Sequence, residues 1–367
     1  MAFIDLQAQQ ARIRASLDCR IAAVLRHGRY IMGPEVAELE ARLAEFVGVR
    51  HAIGVSDGTT ALMLALMALE IGPGDEVITT PFTFFATGEM ISLLGAVPVF
   101  VDIDPATLHM DIASIEAAIT PRSRAIMPVS LYGLCSDMVA IEAVAARHGL
   151  AVIEDGAQSF GATRDGYRSC SRGTIACTSF FPSKPLGCYG DGGACFTNDD
   201  SLAAVLRELR VHGQRQRYEH ARIGLNGRLD TLQAAILLAK LEIFETEIGE
   251  RAESGARYTE LIRSRLTAPE VSIPVVPDGC VSVYAQYTIR VAGRDAVCAR
   301  LERRGVPVAV HYPRCLHQQP AYAAAPFQAG PLPAAERAAR EVMSLPMSPA
   351  MDPSLQAFIV DALADAL

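Results

Sequence analysis

Between residues 52 and 197 the chain alternates short apolar segments with longer amphipathic ones, and this alternation limits the possible folds more than any other feature. The apolar segments predict seven β-strands, at residues 52–55, 76–80, 97–101, 124–129, 151–154, 175–180 and 194–197. The amphipathic segments predict helices at residues 59–69, 86–94, 112–119 and 137–148. Such a pattern indicates an α/β fold in which a mostly parallel sheet is covered by helices on both faces.

The pattern changes outside this region. Residues 202–266 predict long helices that are broken around Gly213 and at residues 224–227. The remaining predicted elements are strands at residues 283–291 and 307–310, and helices at residues 13–25, 34–46, 295–304, 334–344 and 353–367. We therefore expect a large domain of residues 1–249 and a smaller C-terminal α+β domain of residues 250–367.

The composition excludes several classes of protein. Half of the residues are hydrophobic (50%) and 20% are charged, which argues against intrinsic disorder. A net charge of −8 without a basic stripe argues against nucleic-acid binding. No apolar segment reaches the roughly 20 residues that a membrane-spanning helix needs, and no signal peptide is recognisable. The nine cysteines fit no metal-binding spacing, so we expect no metal site and reduced thiols in a cytoplasmic protein.

The ends of the predicted strands carry the chemical information, because ligands of open parallel sheets bind beyond the carboxyl ends of the strands. After the first strand, residues 56–60 are small and polar and stand at a helix start, which suits a phosphate. Ser56 and Asp57 could also simply cap that helix. After the fifth strand, Asp155 is expected to be buried. A buried carboxylate needs a cationic partner, such as a protonated pyridine nitrogen, or structural hydrogen bonds.

Lysine is scarce in this chain, and Lys184 lies among apolar residues, prolines and glycines after the sixth strand. Burial would lower the pKa of its amine and make it nucleophilic towards a carbonyl, as a Schiff-base lysine requires. The alternative is a surface lysine on a loop. The aromatic residues at 82–85 could pack in the core or stack on a planar heterocycle. Taken together, these features meet the requirements for binding pyridoxal 5′-phosphate.

At these residues the chain resembles the sugar aminotransferases of the DegT/DnrJ/StrS group, which are fold-type-I pyridoxal-phosphate enzymes. Six ordered motifs carry the resemblance over almost the whole chain: residues 28–35 (GRYIMGPE), 58–59 (GT), 154–159 (EDGAQS), 179–193, 224–230 (GLNGRLD) and 311–313 (HYP). The resemblance implies an aspartate aminotransferase-like fold, with a mostly parallel seven-stranded sheet and a smaller α+β domain.

The resemblance also implies roles for particular residues. Lys184 would hold the cofactor through a Schiff base, and Asp155 would pair with the ring nitrogen. The other implied cofactor contacts come from Gly58, Thr59 and Ser179 at the phosphate, Phe84 stacked on the ring, Gln158 at the ring hydroxyl, and Asn226 of the neighbouring subunit at the phosphate. An active site that needs Asn226 from a second subunit implies a homodimer.

One position departs from the family pattern. Asp57 stands where the family usually has asparagine before the Gly-Thr pair. A carboxylate beside a phosphate is unfavourable unless it points away and caps the helix.

Within the family, the chain looks most similar to the enzymes that aminate C3 of UDP-2-acetamido-2-deoxy-3-oxo-glucuronate for bacterial O-antigen, a lipopolysaccharide component. Glutamate is the expected amino donor. A uronate and glutamate both carry a carboxylate that needs a cation, and Arg228 is the candidate, although it could instead form a structural ion pair with Asp230 or another acid. The other expected substrate contacts are His311 and Tyr312 as hydrogen-bond donors, and Gly28, Tyr30 and Ser183 at the sugar nucleotide.

Other functions stay open on the sequence. The same chemistry could act on another nucleotide-linked keto-sugar, dTDP- or UDP-linked, at C3 or C4. Family members that dehydrate sugars have a histidine in place of the lysine, so Lys184 argues against dehydration. A regulator that binds the cofactor without turnover is a further alternative. A nicotinamide enzyme is disfavoured, because the glycines at 187–193 do not form G-x-G-x-x-G.

Overall fold

The chain is organised around one large sheet, and a computed structural model describes residues 1–266 and 271–367 of it. The helices are α1 (Leu6–His27), α2 (Pro34–Val47), α3 (Gly58–Ala68), α4 (Phe85–Leu93), α5 (Ile112–Ala117), α6 (Met138–His148), α7 (Asp200–Leu209), α8 (Thr231–Arg265), α9 (Arg294–Arg303), α10 (Pro333–Glu341) and α11 (Pro353–Ala364). The strands are β1 (His51–Val55), β2 (Glu76–Thr79), β3 (Val97–Phe100), β4 (Ser123–Met127), β5 (Ala151–Asp155), β6 (Thr163–Arg164), β7 (Tyr167–Arg168), β8 (Ile175–Ser179), β9 (Gly193–Thr197), β10 (Gln214–Gln216), β11 (Glu219–His220), β12 (Val271–Ser272), β13 (Cys280–Val281), β14 (Tyr287–Val291), β15 (Gln328–Ala329) and β16 (Val342–Leu345).

The large sheet has the strand order β1-β9-β8-β5-β4-β2-β3-β15. It contains all seven predicted strands, of which six run in the same direction and β9 runs in the opposite direction. The short strand β15, which the sequence does not predict, extends the edge at β3 in parallel. The prediction of a mostly parallel sheet is therefore confirmed. Its strands are apolar on both faces because both faces are covered.

Helices cover the two faces, and the alternation of side chains along each strand divides the core accordingly. On one face Ile53, Ile175 and Cys195 pack with α3, α4 and α7. On the other face Ala52 and Phe196 pack with α2 and the first half of α8. Helices α5 and α6 cover the part of the sheet formed by β2, β3 and β4. This arrangement leaves the carboxyl ends of the parallel strands as the open edge.

The C-terminal part is built on a three-stranded antiparallel sheet of order β12-β14-β16, packed against α9, α11 and the end of α8. Two predictions fail here. Residues 307–310 form no strand, because Pro307 lacks an amide donor and only Ala309 bridges to Ser344. The helix predicted at 334–344 ends at Glu341, since Val342–Leu345 pairs with β14.

Helix α8 runs through the predicted domain boundary between residues 249 and 250 without a break. Its buried side chains pass from one core to the other along its length: Ile248 packs in the core of the large sheet, and Tyr258 packs in that of the small sheet. The division into domains at this position stays a prediction.

Over the described part of the chain, none of the helices combines the length and the apolar character needed to cross a membrane.

Candidate active site

The carboxyl ends of three parallel strands bring the predicted site residues together. Strand β1 leads into Gly58 at the start of α3, β5 ends at Asp155, and β8 ends at Ser179. Strands β5 and β8 are direct neighbours, with Asp155 paired to Cys177. The prediction that these strand ends share one site therefore agrees with the topology.

Asp155 is a buried carboxylate with few partners. It is 5% exposed, and it accepts hydrogen bonds from the Thr87 hydroxyl at 2.8 Å and the Ala157 amide at 3.2 Å. Burial raises the pKa of Asp155, and the Thr87 hydrogen bond opposes this rise. The two oxygens keep free lone pairs, so the carboxylate can accept a further, cationic donor.

Lys184 lies on the loop between β8 and β9. The Phe180 amide donates to the Gly192 carbonyl at 2.7 Å, which closes this loop on itself, and the Lys184 amide donates to the Phe181 carbonyl at 2.9 Å. The side chain is half-buried. Burial lowers the pKa of Lys184, while the carboxylate of Asp155 opposes the change. The lysine is therefore poised as a nucleophile beside an acid, which disfavours the alternative of a solvated surface lysine.

A tight cradle forms where α3 begins. A Cβ atom on Gly58 would lie 2.7 Å from the Ser179 Cβ, so glycine is required for this close approach. The amides of Gly58 and Thr59 belong to the first turn and have no acceptor within the described residues. Unpaired amides at a helix start, beside the end of β8, suit a phosphate.

Asp57 caps α3. Its carboxylate accepts hydrogen bonds from the Thr60 amide at 2.7 Å, the Thr60 hydroxyl at 2.9 Å and the Ser56 hydroxyl at 2.8 Å. The carboxylate is thus engaged by its own helix start, which is the arrangement that makes an acidic residue compatible with a neighbouring phosphate.

Gln158 joins the two parts of the chain at the site. Its Oε1 accepts from the Tyr132 amide at 2.9 Å, and its Nε2 donates to the Tyr312 hydroxyl at 3.0 Å. The ring of Phe84, which is 57% exposed, lies 6.1 Å from the Tyr312 ring, centroid to centroid. The exposed ring of Phe84 is therefore available to cover a planar ligand.

His311 approaches the lysine from the C-terminal part. Burial lowers the pKa of His311, and the charge of Lys184 lowers it further. Its Nδ1 is buried and has no hydrogen-bond partner among the described residues. The Tyr132 hydroxyl donates to the backbone carbonyl of His311. An unpaired ring nitrogen of this kind favours a polar ligand in the cleft.

The segment 224–230 lies beside β1 and carries Asn226 and Arg228. Arg228 bridges to Val55, and the Ser56 amide donates to the Gly227 carbonyl at 2.9 Å. Over the described residues the Arg228 guanidinium forms no salt bridge, and its buried Nε has no partner. The described residues thus show no ion pair between Arg228 and Asp230 or another acid, and Arg228 is available for an anion. Asn226 is exposed.

Gly28 and Tyr30 join the site only indirectly. Gly28 ends α1 with a φ of 68°, and the Tyr30 carbonyl accepts from the Thr231 amide at 3.0 Å, at the start of α8. Tyr30 is exposed, and within the described residues no hydrogen bond links it to Lys184. Ser183 is half-buried and precedes Lys184 in the same loop.

Sequence reasoning missed two residues of the site, Thr87 and Tyr132. Thr87 is the hydroxyl donor to Asp155, and Tyr132 contacts both Gln158 and His311. Applying the strand-end rule to β4 would have pointed to Tyr132, which follows that strand closely. Thr87 is a lone hydroxyl in the first turn of an apolar helix, a weaker signal.

The residues fit pyridoxal phosphate. The cradle at Gly58 and Ser179 suits its phosphate, the underpaired carboxylate of Asp155 suits a protonated ring nitrogen, and the amine of Lys184 suits its aldehyde.

Comparisons with known proteins agree with this geometry. The model of the DegT/DnrJ/EryC1/StrS aminotransferase family matches residues 12–364. A UDP-2-acetamido-2-deoxy-3-oxo-D-glucuronate aminotransferase of Pseudomonas aeruginosa is 56% identical over 363 residues, which are 98% of this chain and 99% of that protein.

Two solved structures are similar along the whole fold. A DegT/DnrJ/EryC1/StrS aminotransferase from Brucella abortus has a TM-score of 0.95 and 44% identity, covering 99% of this chain and 98% of that one. NtdA from Bacillus subtilis, solved with bound cofactor PMP, has a TM-score of 0.87 and 30% identity, covering 96% of this chain and 82% of that one.

Proposed function

The chain belongs to the DegT/DnrJ/EryC1/StrS aminotransferase family, and from this premise we propose that it transfers an amino group to the C3 ketone of a UDP-linked 2-acetamido-3-oxo-uronic acid. The family membership confirms the predicted fold and the pyridoxal-phosphate cofactor. L-Glutamate is the proposed donor. The observation that carries the proposal is the placement of the buried Asp155 carboxylate and of the cradle at Gly58 and Ser179 at neighbouring strand ends, with Lys184 on the loop that follows β8.

Different residues of the chain are assigned to amino transfer and to cofactor binding. Pyridoxal phosphate, when bound, supplies an aldehyde that carries the amino group and a ring that accepts electrons. Lys184 holds the aldehyde when no substrate is bound, and its freed amine takes the α-proton of the donor. Asp155 keeps a positive charge on the ring nitrogen favourable. Gly58, Thr59 and Ser179 hold the phosphate.

Other side chains complete the cofactor contacts. Phe84 would lie against the cofactor ring, and Gln158, whose Nε2 has a second hydrogen to donate, would bind the ring hydroxyl. That amide is already oriented by Tyr132 and Tyr312, so it meets the cofactor without further ordering.

The substrate carboxylates are assigned to Arg228. Its guanidinium has no acidic partner in the described residues, and a planar fork binds a carboxylate through two hydrogen bonds. His311 and Tyr312 are the proposed hydrogen-bonding groups for the sugar. Ser183, Gly28 and Tyr30 are proposed to contact the nucleotide sugar.

The protein is proposed to act as a homodimer whose active sites are shared. The stretch from β10 to Asn226 protrudes with large apolar side chains in solvent: Tyr218 is 81% exposed and Ile223 is 88% exposed. Side chains of this kind favour burial against a second subunit. Asn226 lies on the same stretch, so the contact would carry it to the neighbouring site.

We also propose the compartment of the protein and the use of its product. The protein is proposed to act in the cytoplasm, where its nine free thiols, six of them buried, are kept reduced. We propose that the amino sugar it makes is used to build O-antigen, a lipopolysaccharide component.

Borohydride trapping tests the cofactor linkage. The chain has two lysines, Lys184 and Lys240, so reduction of the holoenzyme followed by peptide mass analysis gives an unambiguous answer. We expect the reduced pyridoxyl group on Lys184. We expect Lys184→Ala to lose the label and the activity, and Lys240→Met, at a buried site stacked on Tyr189, to retain both. A label on Lys240 would contradict the proposal.

Absorbance measurements test the substrates. Glutamate should bleach the yellow holoenzyme, and the UDP-linked 3-oxo-uronate should restore the colour. A panel that includes UDP- and dTDP-linked keto-sugars with the ketone at C3 or C4, and without the carboxylate, identifies the acceptor. Recovery with another sugar alone would assign that substrate instead, and bleaching by no amino acid would indicate a protein that binds the cofactor without turnover.

A further inference from the structure

We propose that Thr87, backed by Thr83, is a positioning residue that fixes the carboxylate of Asp155 and keeps it suited to a cationic partner. The inference rests on the proposed function and concerns residues of this chain that the cofactor contacts described above do not include.

The two oxygens of Asp155 are held from two different elements. Oδ2 accepts from the Thr87 hydroxyl on α4 at 2.8 Å, and Oδ1 accepts from the Ala157 amide after β5 at 3.2 Å. Thr87 is fully buried, with 0% exposure. One donor on each oxygen opposes rotation of the carboxylate, so its orientation is set before any ligand arrives.

The hydrogen bonds form a chain with a defined direction. A threonine hydroxyl has one proton, and that of Thr87 goes to Asp155. The Thr83 hydroxyl, 3.1 Å from that of Thr87 and 2% exposed, therefore acts as the donor in the second bond. The chain runs from Thr83 to Thr87 to the carboxylate, and its donors all favour a negative charge at the end.

A buried threonine can also be purely structural, and Thr197 gives the comparison. It is 3% exposed and donates to the backbone carbonyl of Thr174 at 2.9 Å. The partner of Thr197 is thus a neutral group. Because β9 runs antiparallel to β8, Thr197 at its end lies at the amino-terminal end of the parallel strands, away from Asp155. Thr87 differs because its partner carries a charge, and a hydrogen bond to a charged group is the stronger kind.

The electrostatics of the site support a need for this donor. Burial raises the pKa of Asp155, and the Thr87 hydrogen bond is the largest influence in the other direction. The titratable groups around Asp155 are Glu154 on the same strand, Cys170, Cys177 on β8, Lys184 on its loop, and Tyr312 from the C-terminal part. Of these, Lys184 favours the ionised carboxylate.

The test uses Thr87→Val, which removes the hydroxyl and keeps the shape. We expect about tenfold weaker binding of pyridoxal phosphate to the cofactor-free protein, because a charge-assisted hydrogen bond is lost. With ¹⁵N-labelled cofactor, the ring-nitrogen chemical shift should move towards that of the unprotonated ring. Thr87→Ser, which restores the hydroxyl, should recover both values, and Thr83→Val should show a smaller change in the same direction.

Thr197→Val is the matched control and should keep the Kd and the nitrogen shift of the parent protein. The unfolding midpoint of each cofactor-free variant reports separately on folding. Equal Kd and nitrogen shift in Thr87→Val and the parent would overturn the inference, as would a Thr87→Ser protein that resembles Thr87→Val. A parent protein that does not bind pyridoxal phosphate at all would contradict the proposed function instead.

Discussion

Gly58 lies so close to Ser179 that a Cβ atom at position 58 would stand 2.7 Å from the Ser179 Cβ. Gly58→Ala is therefore expected to push the first turn of α3 away from the end of β8 and to weaken pyridoxal-phosphate binding by at least about tenfold, since the two phosphate-binding segments separate. Equilibrium dialysis of the cofactor-free protein measures the change.

Gly249→Ala is the control for this substitution. Gly249 lies on α8, and no atom stands within 4 Å of the position that its Cβ would take. Alanine there should leave cofactor binding unchanged and raise the free energy of unfolding by about 0.5–1 kcal/mol, as helix propensity predicts. Normal cofactor affinity in Gly58→Ala would show that the close approach is not needed.

Asp155→Asn should stabilise the cofactor-free protein in a pH-dependent way. Burial raises the pKa of Asp155 above its value in the unfolded chain. The folded protein therefore favours the protonated carboxyl, and the stability that this carboxyl contributes at low pH is lost as the pH rises through its folded-state pKa. The advantage of Asn over Asp in the free energy of unfolding should be small at about pH 4 or below and grow towards neutral pH.

Urea unfolding of both proteins across this pH range measures that difference. Glu154, whose pKa is raised by burial and also by the charge of Asp155, is present in both proteins, and its repulsion of Asp155 adds to the difference in the same direction. Saturating pyridoxal phosphate should reverse the order and stabilise the parent more than the variant. A difference that does not vary with pH would mean that Asp155 is not destabilised by its burial.

Arg228→Gln should show whether Arg228 binds the carboxylate of the acceptor or another part of the substrate. Loss of a bidentate ion pair is expected to raise the KM for the UDP-linked uronate by about tenfold or more. The KM for the corresponding sugar without the carboxylate serves as the internal control and should not change. Steady-state kinetics with both sugars decide, and an equal effect on both would assign Arg228 to another part of the substrate.

Mixing two inactive variants tests the shared active site. If Asn226 reaches the neighbouring site, a Lys184→Ala chain and an Asn226→Ala chain form mixed dimers in which one of the two sites has both native residues. Random exchange of subunits should then restore activity in about a quarter of all sites. Each variant exchanged with itself is the control. If the mixture of the two variants regains no more activity than these controls, although light scattering shows dimers, Asn226 lies in the site of its own subunit.

The sequence predicts the large sheet well because local and tertiary preferences agree there. The segment Ile175–Ser179, for example, is apolar and lies between two other strands, so its composition already reflects burial on both faces. The same agreement makes Asp155 and Lys184 recognisable, since a charged group next to an apolar strand is unusual.

Elsewhere tertiary pairing overrides the local pattern. Residues 342–345 continue the alanine-rich helix α10 in sequence, yet they pair with β14 in the core of the small sheet. The sequence does not predict the hairpin of β10 and β11, because its turn contains Tyr218, with a φ of 65°, where a glycine would be the usual signal. Thr87 cannot be assigned from sequence, since only the packing of α4 against β5 brings it to Asp155.

The unbroken helix that belongs to both cores limits how the molecule can move. At 1.5 Å per residue, the 35 residues of α8 extend for about 52 Å. A rotation of the C-terminal part against the large sheet would have to bend α8, and it would break main-chain hydrogen bonds of this helix between Ile248 and Tyr258. We therefore expect a bulky substrate to enter and leave by rearrangement of the loops around the site rather than by rotation of one part of the chain against the other.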